Sequence, residues 1–130
     1  GKDYGKDVAI SGWKDSVEAI RMVKTALVRE KGLGGTENEN CIVLFTADLL
    51  RERSEIRALL EQDEGFELLT PENYSVKSAR IRYTTMLKAK GLERDVVVLV
   101  SSPLTDRRNQ FQVFIGASRA RGKVVLLIHQ

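Results

Sequence analysis

Four residues in the last third of the chain, Lys90-Gly91-Leu92-Glu93, combine a glycine with side chains of both charges. Glycine lets the backbone come close to a ligand, because it has no Cβ and adopts conformations that other residues avoid. A five-residue apolar run, Val96 to Val100, follows, and such runs are typical of strands in buried parallel sheets. Because functional loops lie where such strands end, this loop is the first candidate for a ligand site.

The charge of the chain is distributed unevenly and favours the same region. Residues 80–130 carry 10 basic and 3 acidic side chains, whereas residues 41–79 carry 4 basic and 8 acidic ones. Clustered cations indicate a polyanionic partner, either the phosphates of a nucleotide or a nucleic acid. A solvated basic face without a partner is the alternative explanation.

The elements that must position the loop alternate between helices and strands. Asp15, followed by Glu18, predicts the capped start of a helix whose apolar stripe is Val17, Ile20, Val23 and Leu27 and which closes at Lys31-Gly32. A polar loop, 34–38, follows. Further helices are predicted over roughly 47–62 and from Asp106 to about Arg121-Gly122, the second with Phe111, Phe114 and Ile115 on its apolar side.

Six strands are predicted in all, and their alternation with helices predicts an α/β sheet that is at least partly parallel. The segments are 8–10, 41–45, 66–69, 95–101 and 124–128, with an alternating strand around Ile81 and Tyr83 in addition.

Size and composition favour one globular domain over residues 1–130. No apolar run approaches the length of a membrane span and no signal peptide is visible, so we expect a cytoplasmic protein without membrane association. Cys41 lies in a strand and is expected to be a buried structural thiol. His129 has no neighbouring ligand in the sequence, so no metal site is expected.

The sequence contains no phosphate-binding loop of its own. The segment Gly116 to Lys123 comes nearest to G-x-x-x-x-G-K-[ST], but it has five intervening residues and Val124 follows the lysine. A dinucleotide-binding G-x-G-x-x-G pattern is also absent.

Two short patterns remain in the basic third. Thr85-Met-Leu-Lys88-Ala-Lys90-Gly91-Leu-Glu93 precedes a strand, and Phe114-Ile-Gly-Ala-Ser118-Arg119-Ala120 precedes the next one. Together, in order and separation, they resemble the fifth and sixth motifs of UvrD/Rep-type superfamily-one DNA helicases, T-x-H-x-x-K-G-L-E and Y-V-x-x-T-R-A. Roughly residues 13–128 resemble the second core domain of that family.

The resemblance implies a RecA-like three-layer α/β sandwich with a mostly parallel sheet, lacking its own P-loop, and a fragment of a longer chain. ATP with Mg²⁺ would bind between this domain and an N-terminal RecA-like domain of the same parent chain. Lys90, Gly91 and Glu93 would contact the nucleotide, Glu93 through the ribose hydroxyls, and Arg119 would be the catalytic arginine finger. Thr85 and Lys88 would face single-stranded or partly duplex DNA.

Each of these residues also has a structural explanation. Arg119 could be a cation favoured by the helix dipole, and Glu93 could pair with Lys90 or Arg94. Lys88 and Lys90 could be surface charges without a partner. Phe111 and Phe114 are expected to be core residues and not base-stacking platforms.

The chain departs from the family pattern at several positions. Leu87 replaces a histidine that reaches DNA, Arg94 replaces an aromatic residue, and Thr46 stands where the fourth motif carries an arginine, for which Arg51 or Arg53 could substitute. These departures leave nucleotide contact as expected but weaken the expectation of DNA contact and of full ATPase competence. Because the chain has no P-loop and no carboxylate pair for magnesium, the resemblance implies part of an ATP-dependent helicase that is inactive alone. A nucleic-acid-binding or interaction module that has lost the ATPase cycle, or an unrelated α/β binding domain, are the alternatives.

Overall fold

The computed structural model describes residues 7–34 and 37–130, so part of the predicted polar loop at 34–38 lies outside the described residues. One six-stranded sheet organises the chain, in the order β1-β6-β5-β2-β4-β3, and every described strand pair is parallel. The strands are β1 (Asp7–Trp13), β2 (Cys41–Phe45), β3 (Phe66–Leu68), β4 (Ile81–Thr85), β5 (Arg94–Ser101) and β6 (Ala120–His129). The predicted α/β fold is confirmed.

Two apolar layers cover the sheet, one on each face. Helices α1 (Ser16–Gly34) and α2 (Glu55–Glu61) pack on one face, and α3 (Arg107–Ala117) packs on the other with a short 3-10 helix, Leu87–Ala89. The central strand β2 is buried along its whole length, which explains its continuous apolar sequence. Cys41 is buried in this strand as predicted, and burial raises the pKa of its thiol to about 11.

Helix α1 begins with the predicted cap. Asp15 Oδ1 accepts a hydrogen bond from the Glu18 amide at 2.9 Å, and Glu18 Oε1 accepts one from the Lys14 amide at 2.7 Å, so the two side chains satisfy free amides of the first turn. Val17 is 62% exposed, so its predicted place on the apolar stripe is wrong. The helix also continues beyond Lys31 to Gly34.

The predicted helix over 47–62 is divided in two. A 3-10 turn covers Ala47–Leu50, and α2 begins only at Glu55. Ser54 causes the restart, because its extended backbone and its Oγ, which accepts from the Arg57 amide at 3.2 Å, form a second helix cap.

Helix α3 differs most from its prediction. It ends at Ala117, and β6 already begins at Ala120. Gln112 and Gly116 face inward, with Gln112 Oε1 accepting from the Ala47 amide at 2.8 Å. Phe111 and Phe114 are 61% and 65% exposed, so the prediction that they belong to the core is wrong. The inward side of the helix carries Gln112, Val113, Gly116 and Ala117, and the phenylalanines lie on the opposite side.

None of the described helices is long and apolar enough to cross a membrane.

Gly116 sets how closely α3 approaches the sheet. A Cβ at this position would lie 2.6 Å from Leu99 Cδ2 and 3.2 Å from Met86 Cγ. We expect Gly116→Ala to lower the free energy of unfolding by about 1–3 kcal/mol through overpacking, despite the better helix propensity of alanine. Urea denaturation monitored by circular dichroism measures the change. Arg107→Ala, on the exposed side of the same helix, serves as control and should change stability by less than about 0.5 kcal/mol.

Candidate functional site

The segment between β4 and β5 carries most of the candidate residues and crosses one face of the sheet. It starts where β4 ends, with the Met86 amide donating to the Phe45 carbonyl at 2.9 Å, and it reaches the opposite edge where β5 begins at Arg94. Within this segment the side chains of Met86, Ala89 and Leu92 are buried. These three contacts anchor the segment, which we call the 86–93 crossover, and leave its polar side chains in solvent.

Gly91 is placed by its backbone conformation. Its φ is +85°, and a Cβ built on it would meet nothing within 4 Å. The left-handed conformation therefore explains why glycine stands here. Steric crowding within this domain does not explain it, because a side chain would meet no other residue. The open space beside Gly91 also leaves room for a ligand.

Glu93 and Arg119 come together at the amino ends of β5 and β6. The Arg94 amide donates to the Arg119 carbonyl at 3.0 Å, and Arg94 pairs with Ala120 in the sheet. The Arg119 guanidinium donates from Nε and Nη2 to Ser118 Oγ at 3.1 and 2.9 Å. In the described part of the chain neither Glu93 nor Arg119 forms an ion pair.

The alternative partners of Glu93 do not engage its carboxylate. Arg94 Nη1 donates instead to the Glu93 backbone carbonyl at 2.7 Å. Lys90 and Glu93 are both exposed. The two charges next to Gly91 thus remain available to a ligand.

Thr85 and Lys88 lie at the other end of the crossover. Thr85 is the last residue of β4, and its Oγ1 accepts from the Lys88 amide at 3.3 Å. Both residues line a cavity of about 460 Å³ that also includes Arg51 and Leu87. The structure therefore divides the predicted site in two: Thr85 and Lys88 lie at the carboxyl edge of the sheet, and Gly91, Glu93 and Arg119 lie at the amino edge. The expectation that the Gly91 loop lies where strands end applies to its first part only.

Thr46 is a structural residue. It is fully buried, its amide donates to the Val100 carbonyl at 3.0 Å, and its Oγ1 accepts from the Ser102 amide at 3.0 Å. Thr46 therefore joins β2 to β5 and does not reach a ligand. Arg51, a suggested substitute for the arginine missing there, lines the carboxyl-edge cavity with Thr85 and Lys88, so it does not lie on the Arg119 edge.

Comparison with solved structures shows a likeness of fold. No family model and no curated protein sequence matches the chain. A solved structure, the C-terminal domain of a possible DNA helicase from Lactobacillus plantarum WCFS1, superposes with a TM-score of 0.70 at 16% identity, covering 95% of this chain and 74% of that one. The two chains share a fold. That fold agrees with the RecA-like architecture that the sequence predicts.

Part of the basic surplus serves the fold. The Arg82 guanidinium lies 2.6 Å from Glu67 and donates to the carbonyls of Asn73 and Val76 at 2.8 and 2.7 Å. Arg80 also lies 3.6 Å from Glu67 and donates to the carbonyl of Glu64 at 2.8 Å. These two arginines hold the segment before β4 in place, which the charge count by itself does not reveal.

Sequence reasoning missed a second cavity at the carboxyl edge, with a volume of about 630 Å³. His129 stacks on Trp13 beside it, with ring centroids 4.2 Å apart, and Ser102 Oγ donates to Asp48 Oδ2 at 2.5 Å. The positions of Asp48 and Ser102 just after β2 and β5 were the available signal, because ligands of α/β sheets bind at the carboxyl ends of strands.

A substitution at Gly91 tests its backbone conformation. We expect Gly91→Ala to lower the free energy of unfolding by about 1–2 kcal/mol, because an L-residue is strained at this φ. Gly91→Asn should cost less, since asparagine tolerates left-handed backbone. Urea denaturation of both variants measures the difference. Wild-type stability in Gly91→Ala would contradict the positive φ.

Proposed function

We propose that this chain is the second core domain of a UvrD/Rep-type DNA helicase or translocase, which completes an ATP site and contacts single-stranded DNA. The two sequence motifs and the shared fold of a helicase C-terminal domain support the proposal. The observation that carries it is the backbone hydrogen bond from the Arg94 amide to the Arg119 carbonyl, which brings the backbone just after Glu93 next to Arg119.

The chemistry of this edge suits the outer half of a nucleotide. A carboxylate such as Glu93 accepts hydrogen bonds from ribose hydroxyls. Arg119 carries a planar fork of donors that matches phosphate oxygens, and an arginine there neutralises charge that develops during phosphoryl transfer. Lys90 adds a second cation, and the open space at Gly91 lets phosphate approach the backbone.

Among the described residues, no group of three or more acidic, histidine or cysteine side chains at this edge could hold a metal ion. Asp95, the nearest carboxylate in sequence to Glu93, is bound to Arg121 at 2.9 Å. Mg²⁺ in such sites is held by carboxylates and substrate phosphates, so the metal and the phosphate-binding loop would come from a partner domain. This domain would contribute Glu93 and Arg119 when the two domains close.

DNA contact is proposed at the opposite edge. Lys88 would bind backbone phosphates, and the Thr85 hydroxyl would assist. Because the short 86–93 crossover joins both edges, a shift of Gly91 and Glu93 on nucleotide binding would also displace Thr85 and Lys88. Domain closure and reopening would in this way move the domain along the strand.

The arginine finger is tested in the full parent chain. We expect Arg119→Ala to reduce the ATP turnover number by roughly three to five orders of magnitude while ATP binding, followed with a fluorescent analogue, changes little. Steady-state phosphate release measures turnover.

Arg121→Ala is the matched control, because Arg121 lies two residues away and is bound to Asp95. It should keep most of the activity. Unchanged turnover in Arg119→Ala would remove this residue from the reaction.

The DNA contact is tested by the salt dependence of binding. Titration of a fluorescent oligo-dT into the domain at several salt concentrations should give a linear fall of log affinity with log salt. Lys88→Ala should reduce that slope by about 0.7. Lys77→Ala, an exposed lysine at the other edge, is the control; an equal effect of both substitutions would count against a specific role of Lys88.

A second candidate function is an interaction module that has lost ATP turnover. Thr46, at the fourth-motif position, is buried, and Leu87, 40% exposed, offers no hydrogen bond where the family has histidine. In that case the parent chain would lack a phosphate-binding loop and Arg119→Ala would leave all of its activities unchanged.

A further inference from the structure

Helix α3 exposes two aromatic rings that no described element covers. Phe111 and Phe114 are 61% and 65% exposed, while the chain's other two phenylalanines, Phe45 and Phe66, are buried. Gly116 and Gln112 fix this orientation, because they face the sheet and leave the phenylalanines on the far side of the helix. Residues three apart on a helix are neighbours, so the two rings form one apolar surface.

Basic residues lie at both ends of α3, and the helix itself contains no acidic residue. Arg107 is exposed and lies one turn before Phe111. At the other end of the helix, the Ser118 amide donates to the Phe114 carbonyl at 3.3 Å, and Arg119 follows. Asp106, at the N-cap, is bound to Arg108 at 3.0 Å, which lowers the pKa of this carboxyl. The surface therefore presents two aromatic rings beside the positive charge of Arg107, and the carboxylate at its N-cap is paired with Arg108.

We propose that the outer face of α3, defined by Arg107, Phe111 and Phe114, is a docking surface for single-stranded nucleic acid. Unpaired bases would stack on the two rings, and Arg107 would bind a backbone phosphate, the combination by which single strands are held without sequence preference. The positive charge of Arg107, on a helix without acidic residues, favours a polyanion. Flat exposed rings favour a nucleic acid whose base faces are free to stack. An intact duplex is excluded because its bases already stack on one another.

This surface is separate from Thr85 and Lys88. Those two residues lie at the carboxyl end of β4, whereas Phe111 and Phe114 lie on the solvent side of a helix that packs over β5 and β6. The inference therefore does not depend on the ATPase cycle or on the helicase assignment. A strand bound here would extend the contact of the domain beyond the sheet edge.

Ultraviolet crosslinking of the domain to oligo-dT tests the location directly. Trypsin releases residues 109–119 as one peptide, which contains both exposed phenylalanines and no other aromatic residue. We expect the main nucleotide adduct on this peptide, at Phe111 or Phe114. Adducts confined to Tyr74, the other exposed aromatic of the described residues, would overturn the proposal.

Affinity measurements by fluorescence anisotropy provide a second readout. Phe111→Ala and Phe114→Ala should each weaken oligo-dT binding by about fivefold or more, because stacking contributes on the order of 1–3 kcal/mol per base. Phe111→Leu and Phe114→Leu should weaken it similarly, since leucine keeps the apolar surface and loses the aromatic face. Arg107→Gln should reduce the salt slope by about 0.7.

Val28→Ala on α1 is the matched control, because Val28 is an equally exposed apolar residue, at 73%, on another helix. It should leave binding unchanged, and all of these surface variants should unfold at the wild-type temperature. Full affinity in both leucine variants would overturn the stacking role. Binding of an acidic helical peptide to this face in place of oligo-dT would overturn it in favour of a protein partner, whereas loss of binding in Lys88→Ala alone would leave Phe111 and Phe114 without a role.

Discussion

The parallel direction of every described strand constrains the whole molecule, because each connection must carry the chain from the carboxyl edge of the sheet back to the amino edge. Helices provide most of these returns. Between β4 and β5 the return is made by a 3-10 helix and the turn that follows it, in which the Leu92 amide donates to the Ala89 carbonyl at 3.0 Å. This segment crosses the sheet with three buried side chains, and it places residues close in sequence at opposite edges.

That separation gives the two ends of the crossover different neighbours. The amino edge joins Glu93 to Arg119 through the sheet itself, because the Arg94–Arg119 hydrogen bond continues the pairing of β5 with β6. The carboxyl edge brings Lys88 close to Arg51 of a different segment. One short connection therefore links the proposed nucleotide surface with the proposed DNA surface, and the buried side chains of Met86, Ala89 and Leu92 anchor it to the core.

Several features were predictable because they depend on local patterns. The apolar run of β2 and the Asp15–Glu18 cap follow from periodicity and capping chemistry, which operate over a few residues. The exposure of Phe111 and Phe114 was not predictable in this way. Apolar residues recur on both sides of α3, and the close approach of Gly116 to Leu99 decides which side faces the sheet.

The sequence by itself determined the alternation of strands and helices, the basic third of the chain and the two motifs that contain Gly91 and Arg119. Only the tertiary structure decided which of these residues meet. Strand order and register are long-range properties. They bring the amino ends of β5 and β6, next to Glu93 and Arg119, together and leave Thr85 and Lys88 at the other edge. They also place Arg82 where it binds the segment before β4. Charge counts and spacing carry no information about these distances, because they depend on how distant strands pair.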